Sequence, residues 1–153
     1  MRILIAPDKF KNSLGAKEVA QHIAAGLADI LPGAEIIIMP VADGGEGTAR
    51  AICAAKDGSW HECDVRNSLG ELVRARYCTI DDGATAVMEM SEASGSWRVP
   101  AEKRNPITAS SFGTGELLLA AAASKAKRVI VGLGGSATND GGFGMARALG
   151  FRF

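Results

Sequence analysis

One nine-residue pattern occurs twice in this chain. Asp43-Gly-Gly-Glu46-Gly47-Thr-Ala-Arg50-Ala51 is echoed by Asp140-Gly-Gly-Phe143-Gly144-Met-Ala-Arg147-Ala148. Each copy follows an apolar run of strand character and opens a run of helical character. Glycine-rich strand-to-helix turns bring bare backbone N–H groups to a helix N-terminus, where the aligned peptide dipoles favour a phosphate or a carboxylate. The acidic residue heading each copy is placed to hold a metal or to accept a proton. Two such strand–turn–helix units suggest an α/β arrangement and point to phosphate handling.

The remaining elements fit around these turns. Arg2 to Pro7 reads as a buried strand ending at Asp8. Residues 16–31 put Val19, Ile23, Leu27, Ile30 and Leu31 on one helical face and stop at Pro32-Gly33. Glu35 to Val41 is a second strand, and Glu46 to Lys56 a second helix. Ser59 to Arg66 and Glu71 to Ile80 read as strands joined by the hairpin turn Asn67 to Gly70. Thr85 to Met90 is a further strand, and Ser91 to Thr108 reads as loop. Gly113 to Ala126 is an alanine- and leucine-rich helix, Arg128 to Leu133 a strand, and a last helix begins near Gly144. Gly150 to Phe153 looks like the start of another strand. Strand and helix alternate at both ends, which predicts a Rossmann-like, largely parallel sheet with helices on both faces. Antiparallel hairpin strands are expected in the middle.

Composition narrows the function classes. Lys plus Arg and Asp plus Glu are 17 each, so no global field draws in nucleic acid or anionic lipid. Aromatics are 5%, too few for stacking platforms on single strands. Cys53, Cys63 and Cys78 are an odd number with no CxxC pair, which argues against a disulfide framework or a zinc site. The longest apolar run, Leu117 to Ala123, is too short to span a bilayer. The expectation is a cytoplasmic protein that meets small molecules. A homo-oligomer is compatible with the sequence, which fixes no stoichiometry.

The candidate site residues gather at strand ends. Asp8, Asp43, Glu89, Glu92 and Asp140 each lie just past a strand or its following glycines, and in an open parallel sheet such ends face one crevice. The plainer role for such an aspartate is capping the next turn. Lys9 and Lys11 adjoin Asp8, and lysine suits phosphate as a compact point charge. Ser111-Phe-Gly113-Thr114-Gly115-Glu116 opens a helix with small residues that admit an anion; N-capping by Ser111 or Thr114 is the alternative. Gly132-Leu-Gly134-Gly135-Ser136-Ala137 formally fits the dinucleotide fingerprint, though the acidic residue expected about twenty positions on would fall at or beyond residue 153. No P-loop pattern occurs.

Taken together, Ala6-Pro-Asp-Lys-Phe-Lys11, Pro40 to Thr48, Ser111 to Glu116 and Gly132 to Gly142 resemble the type 1 glycerate kinase family, in its order and approximate spacing over the whole chain. The resemblance implies an ATP-dependent kinase that phosphorylates D-glycerate, usually to 2-phosphoglycerate, with Mg2+. It implies two α/β domains with a cleft between them, one interrupted in sequence by the other. Family members run well over twice this length, so the chain reads as an N-terminal portion: about 1–70 as the first α/β segment and about 71–153 as the opening of the second. Where the family often has serine, this chain has Gly15, which forfeits half of a capping box with Glu18.

On this reading Asp43 accepts the hydroxyl proton or holds the metal, with Asp8 and Lys9 beside it in the catalytic group. Lys9, and with it Lys11, contacts the transferring phosphate or the glycerate carboxylate, and Glu46 supports Asp43. Ser111, Gly113, Thr114 and Gly115, with Gly134, Gly135, Ser136, Thr138, Asn139 and Asp140, cradle anions. Two other readings remain open at this point. One is a Rossmann-type oxidoreductase, resting on Gly132 to Ala137; the other is a non-catalytic small-molecule-binding fragment.

Overall fold

The structure is a computed structural model that describes residues 1–10 and 13–153. It divides into two compact units, Met1–Asp43 and Gly44–Phe153.

In the first unit, β1 (Arg2–Ile5) and β2 (Glu35–Ile38) pair in parallel, from Arg2 opposite Glu35 to Ile5 opposite Ile38, and α1 (Ala16–Ile30) connects them. Both strands are shorter than the sequence suggests, because Pro7 has no N–H to donate to the second strand. The parallel alignment nevertheless continues past the strand ends. Met39 N–H donates to Ile5 O at 2.8 Å and Val41 N–H to Pro7 O at 3.0 Å. Helix α1 buries Val19 and Ala20. The Gly15 N–H donates to the Glu18 carboxylate at 2.9 Å. Glycine has no side chain to return the bond, so only half of a capping box forms.

The second unit holds α2 (Thr48–Ala55), β3 (Ser59–Arg66), β4 (Leu72–Ile80), β5 (Thr85–Glu89), α3 (Ser91–Ser94), α4 (Phe112–Ala123), β6 (Arg128–Gly132) and α5 (Phe143–Ala148). Its sheet runs β3-β4-β5-β6, antiparallel across the first two pairings and parallel between β5 and β6. The fold is therefore mixed α/β. Parallel pairs stand at both ends of the chain, and the antiparallel strands of the middle share one sheet with β6. The turn at 67–70, where the sequence reading passes from one domain segment to the next, lies inside this unit, and β3 pairs with β4 along its whole length.

Strand alternation sorts the side chains of this sheet onto two buried faces. Val65, Ala75, Tyr77, Ala86 and Met88 meet Leu117 and Ala121 of α4. Cys78, Ile80 and Val87 meet Ala49 and Cys53 of α2. All five residues of β5 are buried, as expected for a strand covered on both sides. Met88 and Leu117 are fully buried, and each side chain of that size contributes about 1.5–3 kcal/mol.

Two expectations need correction. The segment expected to be loop, 91–108, contains α3 and 3-10 turns at Ser96–Arg98 and Ala101–Lys103. Tertiary bonds rather than local propensity hold it: Met90 N–H donates to Gly132 O, Ser96 N–H to Gly135 O, and the Ser94 and Thr114 hydroxyls share a bond of 2.8 Å. Residues 151–153 form no strand. Gly150, at φ +94°, ends α5 in a Schellman motif, with Phe151 N–H donating to Ala146 O and Gly150 N–H to Arg147 O. Among the described residues no helix is long and apolar enough to cross a membrane.

Candidate active site

In the first unit the parallel alignment of β1 and β2 brings the loop after β1 abreast of the loop after β2. Lys9 Nζ lies 3.6 Å from Asp43 Oδ1, with the lysine half-buried and the aspartate exposed. Asp8 is half-buried, and its Oδ1 accepts the Lys9 N–H at 2.6 Å. Three of the predicted charged groups thus meet at the end of one parallel strand pair. Lys11 lies outside the described residues.

In the second unit the carboxyl ends of β5 and β6 stand side by side, and the two glycine-rich turns press together there. A Cβ on Gly132 would stand 2.6 Å from Gly44 O, and one on Gly134 would stand 2.7 Å from Gly45 Cα. Those glycines are needed for backbone-to-backbone approach. This corrects the dinucleotide reading of Gly132 to Ala137. No helix opens within the motif, since α5 starts only at Phe143, and Ala137 N–H is bonded to Ser94 O. In the segment that follows, Gly135, Ser136 and Asn139 are exposed and Gly134 and Thr138 half-buried. The Ser136 and Thr138 hydroxyls lie 2.6 Å apart, and Ser136 Oγ accepts the Thr138 N–H at 2.9 Å.

Asp140 is wired into the fold. Its Oδ2 accepts the Ser111 N–H at 2.8 Å, the Ser111 hydroxyl at 2.9 Å and the Gly144 N–H at 3.1 Å, and its Oδ1 accepts the Gly142 N–H at 3.2 Å. Partial burial pushes the Asp140 carboxyl up, but the bonds from Ser111, Gly144 and Gly142 outweigh it and hold the group below its ordinary range. Ser111 is buried, and its Oγ also accepts the Met145 N–H at 3.0 Å. Gly113, Thr114 and Gly115 are buried too. A Cβ on Gly113 would fall 1.6 Å from Arg66 O, and one on Gly115 would fall 2.5 Å from Met145 O. The Ser111–Glu116 motif therefore packs α4 closely against β3 and α5. Glu116 adds a charged pair with Arg66.

Sequence reasoning placed Glu89 among the strand-end acids and gave it no role. The structure gives it a central one in the second unit. It is 4% exposed, its Oε1 accepts the N–H groups of Gly47 at 3.0 Å and Ala49 at 2.7 Å, and its Oε2 accepts the Ser91 hydroxyl at 3.1 Å. Burial pushes this carboxyl above its ordinary range; the N–H of Ala49 and the Ser91 hydroxyl pull it down, and the nearby Glu92 charge adds to the rise. Glu46 is exposed on the adjoining turn. Among the described residues no group of three His, Cys, Asp or Glu side chains stands close enough to hold a metal by itself.

The glycerate kinase family matches residues 3–153. The glycerate 2-kinase of Escherichia coli (strain K12) is 53% identical over 98% of this chain and 39% of its own length. The glycerate kinase of Bacillus subtilis (strain 168) is 52% identical over 99% of this chain and 40% of its own. A crystal structure from Salmonella typhimurium LT2, of a protein named as a glycerate kinase 2, superposes with a TM-score of 0.79 at 46% identity, over 98% of this chain and 40% of that one. The chain thus spans about two fifths of the length of these relatives, and across that span it belongs to the glycerate kinase family.

Proposed function

We propose that the protein carrying this chain transfers the γ-phosphoryl group of ATP to D-glycerate, giving 2-phosphoglycerate, in the cytoplasm. The observation that carries the reading is the Lys9–Asp43 pair, 3.6 Å apart at the end of a parallel strand pair, in a chain matched along its length by glycerate kinases. Phosphoryl transfer needs charge neutralisation and oriented reactants more than covalent chemistry. Asp43 would accept the proton of the attacking hydroxyl as the new O–P bond forms and the bond to ADP breaks. Lys9 and Lys11 would neutralise phosphate or the glycerate carboxylate, and Asp8 would orient the Lys9 loop.

Gly134, Gly135, Ser136, Thr138 and Asn139 would meet phosphate oxygens through backbone N–H groups and hydroxyls. Ser111, Gly113, Thr114, Gly115 and Asp140 would support that loop from beneath. Mg2+ is usually bound by one or two carboxylates plus substrate phosphates. A single exposed carboxylate at Asp43 fits that donor set, and the ion would neutralise charge on the transferring group.

The reading is tested by coupled ADP release with D-glycerate, ATP and Mg2+, followed by 31P NMR of the product. A phosphate on the C2 hydroxyl couples to one proton and gives a doublet, whereas one on C3 couples to two and gives a triplet. No glycerate-dependent ADP release rejects the reading, and a triplet rejects the 2-phosphoglycerate assignment.

A further inference from the structure

The two copies of the glycine motif are wired differently, although their sequences nearly coincide. In the second copy the motif's own aspartate, Asp140, accepts the N–H groups of Gly142 and Gly144, and α5 starts at Phe143. In the first copy the N–H of Gly47, the counterpart of Gly144, goes instead to Glu89, a residue 42 positions away at the end of β5. Glu89 also takes the Ala49 N–H, and α2 starts only at Thr48, after Gly47 at φ +100°. The turn is closed on its other side by Gly44 N–H donating to Thr48 Oγ1 at 3.0 Å. A buried carboxylate supplied by the sheet thus sits at the α2 N-terminus, where an incoming anion would otherwise bind.

We infer that Glu89 is a positioning residue, whose buried carboxylate fixes the Gly44–Gly47 turn that carries Glu46 and follows directly on Asp43 in the chain. The bond count supports the assignment: one carboxylate accepts the Gly47 N–H of the turn, the Ala49 N–H of the first turn of α2 and one hydroxyl of α3. Because Gly47 and Ala49 spend their N–H groups on Glu89, anions at this turn must be met by other groups. The kinetic readout rests on the glycerate kinase reading; the wiring itself does not.

The test compares Glu89→Gln and Glu89→Leu in the full protein. Glutamine keeps a carbonyl acceptor for both N–H groups and turns its amide toward Ser91, while leucine keeps the volume and loses every acceptor. Displacing a reacting group by about 1 Å costs about 100-fold. Glu89→Leu should therefore lower kcat by about 100-fold with KM for glycerate within about threefold, and Glu89→Gln should retain at least about a third of wild-type kcat with the same pH profile. Unchanged kcat in Glu89→Leu overturns the inference. So does a Glu89→Gln variant that folds normally yet falls as far as Glu89→Leu, since the charge itself would then be in use. Amide exchange at Gly47 and Ala49 reads the wiring without kinetics. Slow exchange in wild type and Glu89→Gln is expected, and fast exchange in wild type overturns it. A wild-type protein with slow exchange and no glycerate kinase activity would sink the proposed function and leave the wiring standing.

Discussion

Asp140 accepts both the backbone N–H and the hydroxyl of Ser111, at 2.8 and 2.9 Å, and so joins the start of α4 to the start of α5 across 29 residues. Asp140→Ala would strand four donors, the two of Ser111 and the N–H groups of Gly142 and Gly144. At roughly 1 kcal/mol for each, the expected loss is about 3–4 kcal/mol in urea denaturation. The pH dependence follows from the depressed carboxyl. Asp140 stabilises the fold above its ordinary value of 3.8, and that contribution is lost as pH falls through its lower folded value. The gap between wild type and Asp140→Ala should therefore narrow below pH 3.8.

Glu89 has the opposite sign. Its carboxyl is raised in the fold, so its contribution is complete below its ordinary value of 4.5 and lost as pH rises through the folded value. Glu89→Gln should be no less stable than wild type at neutral pH, with an advantage that grows from acid to neutral. A Tm series from pH 4 to 8 checks this, and a Glu89→Gln protein clearly less stable at neutral pH would contradict it.

Gly113 has no room for a side chain, because a Cβ would lie 1.6 Å from the Arg66 carbonyl oxygen. A backbone carbonyl at the end of a paired strand cannot swing aside as a flexible side chain can. Gly113→Ala should cost about 3 kcal/mol or more, at the upper end for overpacking, and denaturant midpoints would show it.

The Cys78 thiol is pushed up to about 12, by burial first and then by the neighbouring Cys53 thiol. Since the thiolate is the nucleophile, Cys78 should resist alkylation in the folded protein at pH 8. Mass spectrometry after brief iodoacetamide treatment should find Cys78 modified only once urea is added.

Much of this was readable in the sequence because the governing signals are local. The period of residues 16–31 marked α1, the turn residues Asn67 to Gly70 marked the hairpin, and the glycine turns marked the strand ends. The α3 segment escaped because bonds to Gly132, Gly135 and Thr114 hold it, and none of those partners is near in sequence. The two copies of the glycine motif looked interchangeable for the same reason. What separates them is Glu89, reaching Ala49 over 40 residues. Gly113 and Gly115 read as room for an anion, but the space beside them is filled by Arg66 and Met145.

Asp43 carries the central chemical claim and is exposed, so its replacement should leave the fold nearly untouched. An ion pair open to solvent on the aspartate side, such as Lys9–Asp43, contributes only about 0–1 kcal/mol. The most direct measurement is glycerate-dependent ADP release by the full protein and by its Asp43→Asn variant, at matched Tm. Turnover should be robust in the first and roughly 100- to 10,000-fold lower in the second, the range for removing a general base. Near-normal turnover in Asp43→Asn would contradict it.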